Sequence, residues 1–252
     1  MKFSSVLPLL FWGVAGKVPV VMAQSPGTFT PTGSMTTSRA SHTATLLADG
    51  RVLIAGGSGG YAFGSAEVYD PSTGTFTATG DMFTGRAFGH AATLLPDGRV
   101  LIAGGAIASS FAGVTNTASA ELYAPSTRMF VAAGNMITAK ACPAAVLLGS
   151  GKVLIAGGAN WNQPSSAANA ELYDPATGTF TYAGPYANSN PRRNVDLDLC
   201  PAANLVPDGR VLIVWDDLDS SAEVYDPSAG TFIAAGWHGE APGPDFAGDV
   251  AH

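Results

Sequence analysis

The chain has 252 residues, of which 46% are hydrophobic and only 12% are charged. This length and this low charge exclude an intrinsically disordered protein, although the chain contains 31 glycines and 17 prolines. The formal net charge of −7 argues against nucleic acid or an anionic membrane as a partner, because phosphate binding needs clustered basic residues.

The first 23 residues are typical of a secretory signal peptide. Lys2 precedes an apolar run at residues 6–16, and Ala23 supplies a small residue at the expected cleavage point. We therefore expect a mature chain of residues 24–252 that is secreted, either extracellular or periplasmic. An uncleaved anchor is the alternative, and no later stretch is long and apolar enough to span a membrane.

The rest of the chain contains one sequence block four times. LLADGRVLIAGG at 46–57 returns at 94–105, at 147–158 and, altered to LVPDGRVLIVWD, at 205–216. A second block, AEVYDPSTGTF at 66–76, follows each copy, at 120–130, 170–180 and 222–232. Repetition at a fixed period of about 50 residues indicates an array of similar structural units.

Each copy predicts four short strands, a to d. In the first copy they are Ala44–Leu47, Val52–Ala55, Ala66–Tyr69 and Thr75–Ala78. Asp49-Gly50 predicts a type I′ hairpin turn between strands a and b, since both central residues would need positive φ. Between strands c and d, Asp70-Pro71 predicts a type I turn, with Gly74 in the left-handed conformation.

Four antiparallel strands per repeat predict an all-β propeller built of four-stranded antiparallel blades. A blade has two apolar faces and must stack against its neighbours. Four blades are present, and we expect an incomplete ring, because a lone strand d at 27–32 precedes them and a partial repeat at 237–252 follows. The ring would then need self-association or further blades. The predicted blades span residues 36–82, 83–136, 137–186 and 187–236.

The repeated residues resemble the kelch-repeat family, and in particular its secreted bacterial members that are similar to the propeller domain of galactose oxidase. The resemblance covers roughly residues 26–236. It rests on the Gly-Gly pairs that end strand b, the tyrosines of strand c and the phenylalanines of strand d: Gly56-Gly57, Gly104-Gly105, Gly157-Gly158; Tyr69, Tyr123, Tyr173, Tyr225; Phe76, Phe130, Phe180, Phe232. It implies the fold and says little about function, because propellers carry many unrelated activities.

A glutamate occurs at one position of strand c in every copy: Glu67, Glu121, Glu171 and Glu223. This position shares a strand face with the buried tyrosine, and a buried carboxylate needs a partner. The candidate partners are the basic residues that enter strand a: Arg39, Arg86, Lys140 and Arg193. We expect structural pairs between blades, because a catalytic acid would not be present in all four copies.

The loops between strands b and c differ in length and content, whereas the turns are nearly constant. Variable loops on a fixed scaffold usually carry binding, and they share one face with the d–a connections. The ligand-binding candidates on this face are Tyr61, Phe63, Phe111, Asn160, Trp161, Asn162 and Trp215. Aromatic rings beside amides suit carbohydrate, and a protein surface is the other ligand considered.

Two metal sites are conceivable from the sequence. Five aspartates near the fourth copy could bind calcium through their oxygens, and the alternative is an exposed acidic loop: Asp196, Asp198, Asp216, Asp217 and Asp219. His42 and His90 share one repeat position and could ligate a metal together, although hydrogen-bonding structural histidines are the preferred interpretation.

Cys142 and Cys200 also occupy one repeat position, in ACPAA and LCPAA. An oxidising compartment favours a disulfide between them. Their positions on neighbouring blades argue the other way, because a disulfide needs Cα atoms within about 7 Å. The sequence leaves both outcomes open.

No catalytic residue is assigned. The copper site of galactose oxidase-like enzymes, with its Tyr–Cys crosslink, second tyrosine and two histidines, cannot be mapped onto this chain. The preferred function is a non-catalytic binding module without a cofactor. Part of a copper-radical oxidase and a structural segment of a larger surface protein are the alternatives.

Overall fold

The computed structural model describes the following residues: 29–110, 113–160, 169–187, 200–215 and 222–235. The chain divides into two units, Met1–Pro31 and Thr32–His252, and all strands belong to the second. Among the described residues there is no helix with the length and apolarity to cross a membrane.

The four repeats form four antiparallel sheets, here called blades 1 to 4. Blade 1 contains β1 (Thr43–Leu46), β2 (Val52–Ala55), β3 (Ala66–Asp70) and β4 (Thr75–Ala78). Blade 2 contains β5 (Ala91–Leu94), β6 (Val100–Ala103), β9 (Ser119–Ala124) and β10 (Met129–Asn135), and its b–c loop forms a separate hairpin of β7 (Ala106–Ser110) and β8 (Gly113–Asn116).

The other two blades repeat the pattern of blade 1. Blade 3 contains β11 (Ala144–Leu147), β12 (Val153–Ala156), β13 (Asn169–Asp174) and β14 (Thr179–Pro185). Blade 4 contains β15 (Ala202–Leu205), β16 (Val211–Val214), β17 (Ala222–Asp226) and β18 (Thr231–Ala234). The predicted all-β class and the four-stranded blades are thus confirmed, and the incomplete ring stays a prediction.

The a–b turn differs from the predicted type I′ turn. Gly50 donates its N–H to the carbonyl oxygen of Leu47 (3.0 Å), which closes a turn over Ala48 and Asp49. Gly50 has φ of 84°, whereas Asp49 does not have positive φ. The loop is therefore a turn followed by one left-handed glycine, the three-residue form of hairpin. One glycine per turn is sufficient for it.

The core lies between blades. The face of blade 1 that carries Leu53 and Val68 packs against the face of blade 2 that carries Val100, Ile102 and Tyr123. The same pairing of faces recurs between blades 2 and 3 and between blades 3 and 4. Burial of both sheet faces explains why the strands read as apolar runs, and why the repeats must stack to be stable.

Residues 29–35, which overlap the predicted lone strand d, lie outside regular strands. The Thr32 hydroxyl lies 2.8 Å from the Tyr69 hydroxyl, as the Thr79 hydroxyl lies 2.9 Å from that of Tyr123 in the next repeat. Gly33 donates its N–H to the carbonyl oxygen of Gly74 at 2.9 Å. Thr32 and Gly33 therefore occupy the place where a preceding blade would end.

Candidate functional site

The two ends of the blades form two different surfaces. The a–b and c–d turns lie together on one side, which we call the turn face; cavities there are lined by both kinds of turn, at Asp97–Arg99 and Ala124–Ser126 for example. The b–c loops and the d–a linkers lie together on the other side, which we call the loop face. There the Arg86 N–H donates to the Phe63 carbonyl oxygen, linking a linker to a b–c loop at 3.0 Å.

The repeated glutamate is the centre of a buried hydrogen-bond cluster, here called the clamp. In blade 2, Glu121 accepts the backbone N–H groups of Phe83 (2.7 Å) and Thr84 (3.1 Å) and one guanidinium nitrogen of Arg86 (3.0 Å). The other guanidinium arm of Arg86 donates to the carbonyl oxygens of Gly104 (2.6 Å) and Ser119 (3.0 Å). Arg86 is completely buried.

Blade 1 repeats this clamp with Arg39 and Glu67, 2.9 Å apart. Blade 3 uses Lys140, whose ammonium lies 3.3 Å from Glu171 and also donates to the Asn169 carbonyl oxygen. In blade 4, Glu223 is fully buried and accepts the Ala187 N–H at 2.9 Å. Arg193 lies outside the described residues.

The clamp does not join two blades, as the sequence suggested. Arg86 belongs to the linker that enters blade 2, and Glu121 lies on β9 of that same blade. The linker must cross to the inner strand of its blade, and the N–H groups of Phe83 and Thr84 have no strand to pair with. The carboxylate of strand c supplies the missing acceptor, so the clamp fixes each linker to the blade it enters.

Burial and hydrogen bonding shift the pKa values of three clamp residues: Glu67, Arg86 and Lys140. Desolvation is the largest influence on Glu67 and would raise its pKa, but the hydrogen bonds from Thr36, Arg39 and Thr37 together hold the pKa below its ordinary value of 4.5. Desolvation also lowers the pKa of the Arg86 guanidinium and of the Lys140 ammonium, against the opposing effect of Glu121 and Glu171. The lowered pKa of Glu67 favours its charged form, which suits an ion pair with Arg39.

Of the ligand-binding candidates in blade 1, Tyr61 is 68% exposed and Phe63 only 7%. The Phe63 ring packs edge-on against Tyr61 with ring centroids 4.9 Å apart, and the Arg39 guanidinium lies over Phe63 at 5.4 Å. Phe63 is therefore a packing residue of the b–c loop, and Tyr61 is the ring that a ligand can reach.

Trp215 is 3% exposed and is also a packing residue, in the core between blades 3 and 4. Its ring packs edge-on against Tyr186 at 4.9 Å. A Cβ atom on Gly157 would come within 2.9 Å of the Trp215 ring, so the glycine makes room for it. Trp215, which replaces the first glycine of the Gly-Gly pair in the fourth copy, thus fills the junction between blades 3 and 4.

The remaining loop-face candidates are not available as surface residues or cannot be placed. Asn160 is 6% exposed. Phe111, Trp161 and Asn162 lie outside the residues with a described position, and so do all five aspartates of the calcium hypothesis: Asp196, Asp198, Asp216, Asp217 and Asp219. Within the described ranges no group of three or more His, Cys, Asp or Glu side chains could hold a metal.

Sequence reasoning missed the exposed apolar residues of the linkers. Phe83 is 75% exposed and Ile137 is 45% exposed, and both occupy the clamp position at which the backbone donates to the glutamate. Ile107, on β7 of the missed hairpin, is 37% exposed. The signal in the sequence was the large apolar residue at this linker position. A linker that is held by its backbone does not need such a side chain for its structure.

His90 is a structural residue. It is 6% exposed, and its Nε2 donates to the carbonyl oxygen of Ala55 in blade 1 at 3.0 Å. Burial is the main cause that lowers its pKa to about 4, and the charges of Arg86 and His42 act in the same direction. His90 is therefore neutral near pH 7, and it ties the inner strand of blade 2 to blade 1.

Cys142 and Cys200 form a disulfide in the structure, with Cα atoms 4.8 Å apart. The two Cα atoms are thus close enough for a disulfide, although the sequence left this open. Equivalent points near the start of neighbouring inner strands lie close together. The bond joins blades 3 and 4 across a sequence separation of 58 residues.

Comparison with known proteins gives one match in sequence. The Kelch motif matches residues 39–82, which span β1 to β4 and the clamp of blade 1. No curated protein matches the chain. Together with the four similar antiparallel blades, the match supports placing this chain in the kelch-repeat family.

Proposed function

We propose that this chain is a non-catalytic binding module that receives a protein partner on its loop face. Kelch repeats suggest a propeller used for protein interaction, and the observation that carries the proposal is the exposure of Phe83 and Tyr61. Large exposed aromatic side chains are typical of the residues that dominate protein interfaces.

The backbone beneath these two side chains is fixed. Met82 donates its N–H to the Gly64 carbonyl oxygen at 2.8 Å, and Arg86 donates to that of Phe63 at 3.0 Å. Tyr61 and Phe83 therefore flank two segments that are hydrogen-bonded to each other. A partner would meet them without ordering a loop, which lowers the entropic cost of binding.

The loop face and the turn face also differ in their exposed charges. Among the described residues of the b–c loops and linkers, Asp81 is the one exposed charged residue. The turn face instead carries ion pairs at three a–b turns: Asp49–Arg51, Asp97–Arg99 and Asp208–Arg210. Exposed aromatic rings with a single exposed charge among the described residues suit a partner with an apolar patch.

Carbohydrate is the other ligand that the sequence suggested for the loop face. Of its described candidates, Tyr61 alone offers an exposed ring, because Phe63, Asn160 and Trp215 are buried. A copper-radical oxidase does not fit the described residues, since both cysteines are bonded to each other and neither is available for a crosslink to tyrosine.

The experiment is cross-linking of the purified chain in an extract of its source organism, followed by mass spectrometry. We expect a partner that is captured by the wild-type chain and lost with Phe83→Asp and with Tyr61→Asp. Met129→Asp is the matched control, because Met129 is 61% exposed but lies on strand d of blade 2. Equal capture by all four proteins would contradict the proposal.

We also propose that the protein functions in an oxidising compartment, as a secreted protein would. The Cys142–Cys200 disulfide supports this, because such bonds persist outside the reducing cytosol. Alkylation without reductant of protein isolated from its natural source should leave both cysteines unmodified. Alkylation of both would contradict this localisation.

A further inference from the structure

A small polar cavity of about 190 Å³ lies between the outer strand of blade 1 and the c–d turn of blade 2. It is away from the loop face and independent of the function proposed above. Its polar lining combines two guanidinium groups, one carboxylate and threonine hydroxyls: Arg51, Arg128, Asp70, Thr73, Thr75 and Thr77.

Arg128 has an unusual backbone for its residue type. Its φ is 57°, in the left-handed region that favours glycine, and glycine occupies this place in the other three repeats, with φ of 68°, 70° and 66°: Gly74, Gly178 and Gly230. The conformation belongs to the c–d turn, in which the Arg128 N–H donates to the Ala124 carbonyl oxygen at 2.8 Å, as the equivalent glycines do in the other repeats. An arginine here is strained, and strained residues of this kind concentrate at functional sites.

The Arg128 side chain has no structural use that would explain the strain. It is exposed, it lines the cavity, and it forms no ion pair with any residue whose position the structure gives. Arg51, by contrast, is held in place by Asp49, with an N–O distance of 2.6 Å. The cavity thus has one fixed and one uncommitted guanidinium.

The threonines supply hydroxyl groups on the same lining. Those of Thr73 and Thr75 lie 2.7 Å apart, and Thr77 follows on β4. In blade 2 the positions of Thr75 and Thr77 carry Met129 and Val131, which are exposed as well. Exposure alone therefore does not require hydroxyls at these positions.

Asp70 gives the lining acceptor oxygens. It accepts the Ser72 N–H at 2.8 Å and the Ser72 hydroxyl at 2.6 Å, and both bonds end on Oδ1. Oδ2 can accept a further hydroxyl. Because Asp49 already pairs with Arg51, Arg128 is the guanidinium of the lining that has no ion-pair partner among the described residues.

We propose that this cavity binds a sugar residue that carries a carboxylate, that is, a uronic acid. Arginine guanidinium groups match a carboxylate with paired charge-assisted hydrogen bonds. Threonine hydroxyls and the Asp70 carboxylate can bond the ring hydroxyls. The cavity is smaller than the roughly 300–1,000 Å³ of sites for drug-sized ligands, which restricts it to a single sugar unit.

The experiment is calorimetric titration of the full chain with galacturonate and glucuronate. Galactose and glucose test the need for the carboxylate, and acetate and sulfate test the need for the hydroxyls. We expect at least tenfold stronger binding of one uronate than of its neutral sugar or of the small anions. A galacturonate oligomer then shows whether the site prefers a free sugar or a chain.

Arg128→Gly is the decisive variant, because it installs the residue of the other repeats and removes the strain. We expect uronate affinity to fall at least tenfold while the denaturation midpoint is kept or raised. Thr77→Val should weaken binding several-fold. The matched control is Arg99→Gln, which changes the arginine equivalent to Arg51 one blade further and should leave affinity unchanged.

Three results would overturn the proposal: no uronate binding by the wild-type chain, unchanged affinity in Arg128→Gly, or acetate and sulfate binding as tightly as the uronate. None of these results depends on Phe83 or Tyr61, so the protein-binding proposal for the loop face is tested separately.

Discussion

The segments that enter blades 2 and 3 perform one task with different residues. Both give two backbone N–H groups to the glutamate of strand c, with distances of 2.7 and 3.1 Å in each case. The segment into blade 2 adds Arg86 and His90. The segment into blade 3 has Lys140 and Pro143 at those positions, and Cys142 beside them.

The difference shows how much of the clamp depends on geometry and how much on charge. Arg86 reaches two carbonyl oxygens, the Ser119 hydroxyl and Glu121 with its fork, whereas Lys140 bonds to Asn169 and Glu171. Blade 3 has fewer hydrogen bonds at this point, but it has a covalent link to blade 4 through Cys142. The same fold therefore tolerates a simpler clamp next to a disulfide.

The largest effect is expected from Arg86→Met. This change leaves Glu121 buried without its ion-pair partner, which costs about 3–5 kcal/mol of unfolding free energy. Urea denaturation measures it. Arg99→Met, at an exposed ion pair of the turn face, is the control and should cost at most about 1 kcal/mol. Similar losses in the two variants would show that burial of the clamp is unimportant.

Removal of the disulfide is expected to rank second. The double variant Cys142→Ala/Cys200→Ala frees a loop of 58 residues and should destabilise the chain by about 2–4 kcal/mol. Denaturation with and without reductant measures the effect, and reductant should leave the double variant unchanged. An equal response of both proteins to reductant would contradict a bond between these cysteines.

The third prediction is that His90 adds a pH dependence to the stability of the chain. Its folded pKa of about 4 lies below the ordinary 6.5, so its stabilising effect is complete above pH 6.5 and is lost as the pH falls towards 4. The loss amounts to about 3 kcal/mol at most. His90→Gln should remove this part of the dependence, as measured by denaturation at pH 7, 5.5 and 4. A variant that follows the wild-type curve would refute the assignment.

The smallest effect is expected when the two clamps exchange residues. Arg86→Lys deletes hydrogen bonds to carbonyl oxygens that stay buried, and should cost about 1–2 kcal/mol. Lys140→Arg places the larger guanidinium group next to Asn169, where blades 1 and 2 have serine. It should therefore raise the free energy of unfolding by less than Arg86→Lys lowers it. Equal and opposite shifts in the denaturation midpoint would show that the two clamps are interchangeable.

The sequence predicted the parts of this structure that are local. Strands b and d of the first repeat have the predicted bounds, because the Asp-Gly and Asp-Pro turns and the apolar runs define them within a few residues. The basic partners of Glu67, Glu121 and Glu171 were also predicted, since a buried carboxylate needs a donor nearby.

The parts that were missed depend on contacts between repeats. Burial of Trp215 requires Tyr186 and Gly157 from the preceding repeat, which no local pattern reveals. The distance between Cys142 and Cys200 depends on how closely two blades approach at their inner ends. The linker clamp was taken for a link between blades because sequence gives the partners of a pair but not the path of the chain.

The closeness of those inner ends has a consequence for how neighbouring blades are coupled. Cys142 donates its N–H to the Gly89 carbonyl oxygen at 2.6 Å, and Cys142 is in turn bonded to Cys200. Blades 2, 3 and 4 are thus joined in series near the start of their inner strands, by one backbone hydrogen bond and one covalent bond.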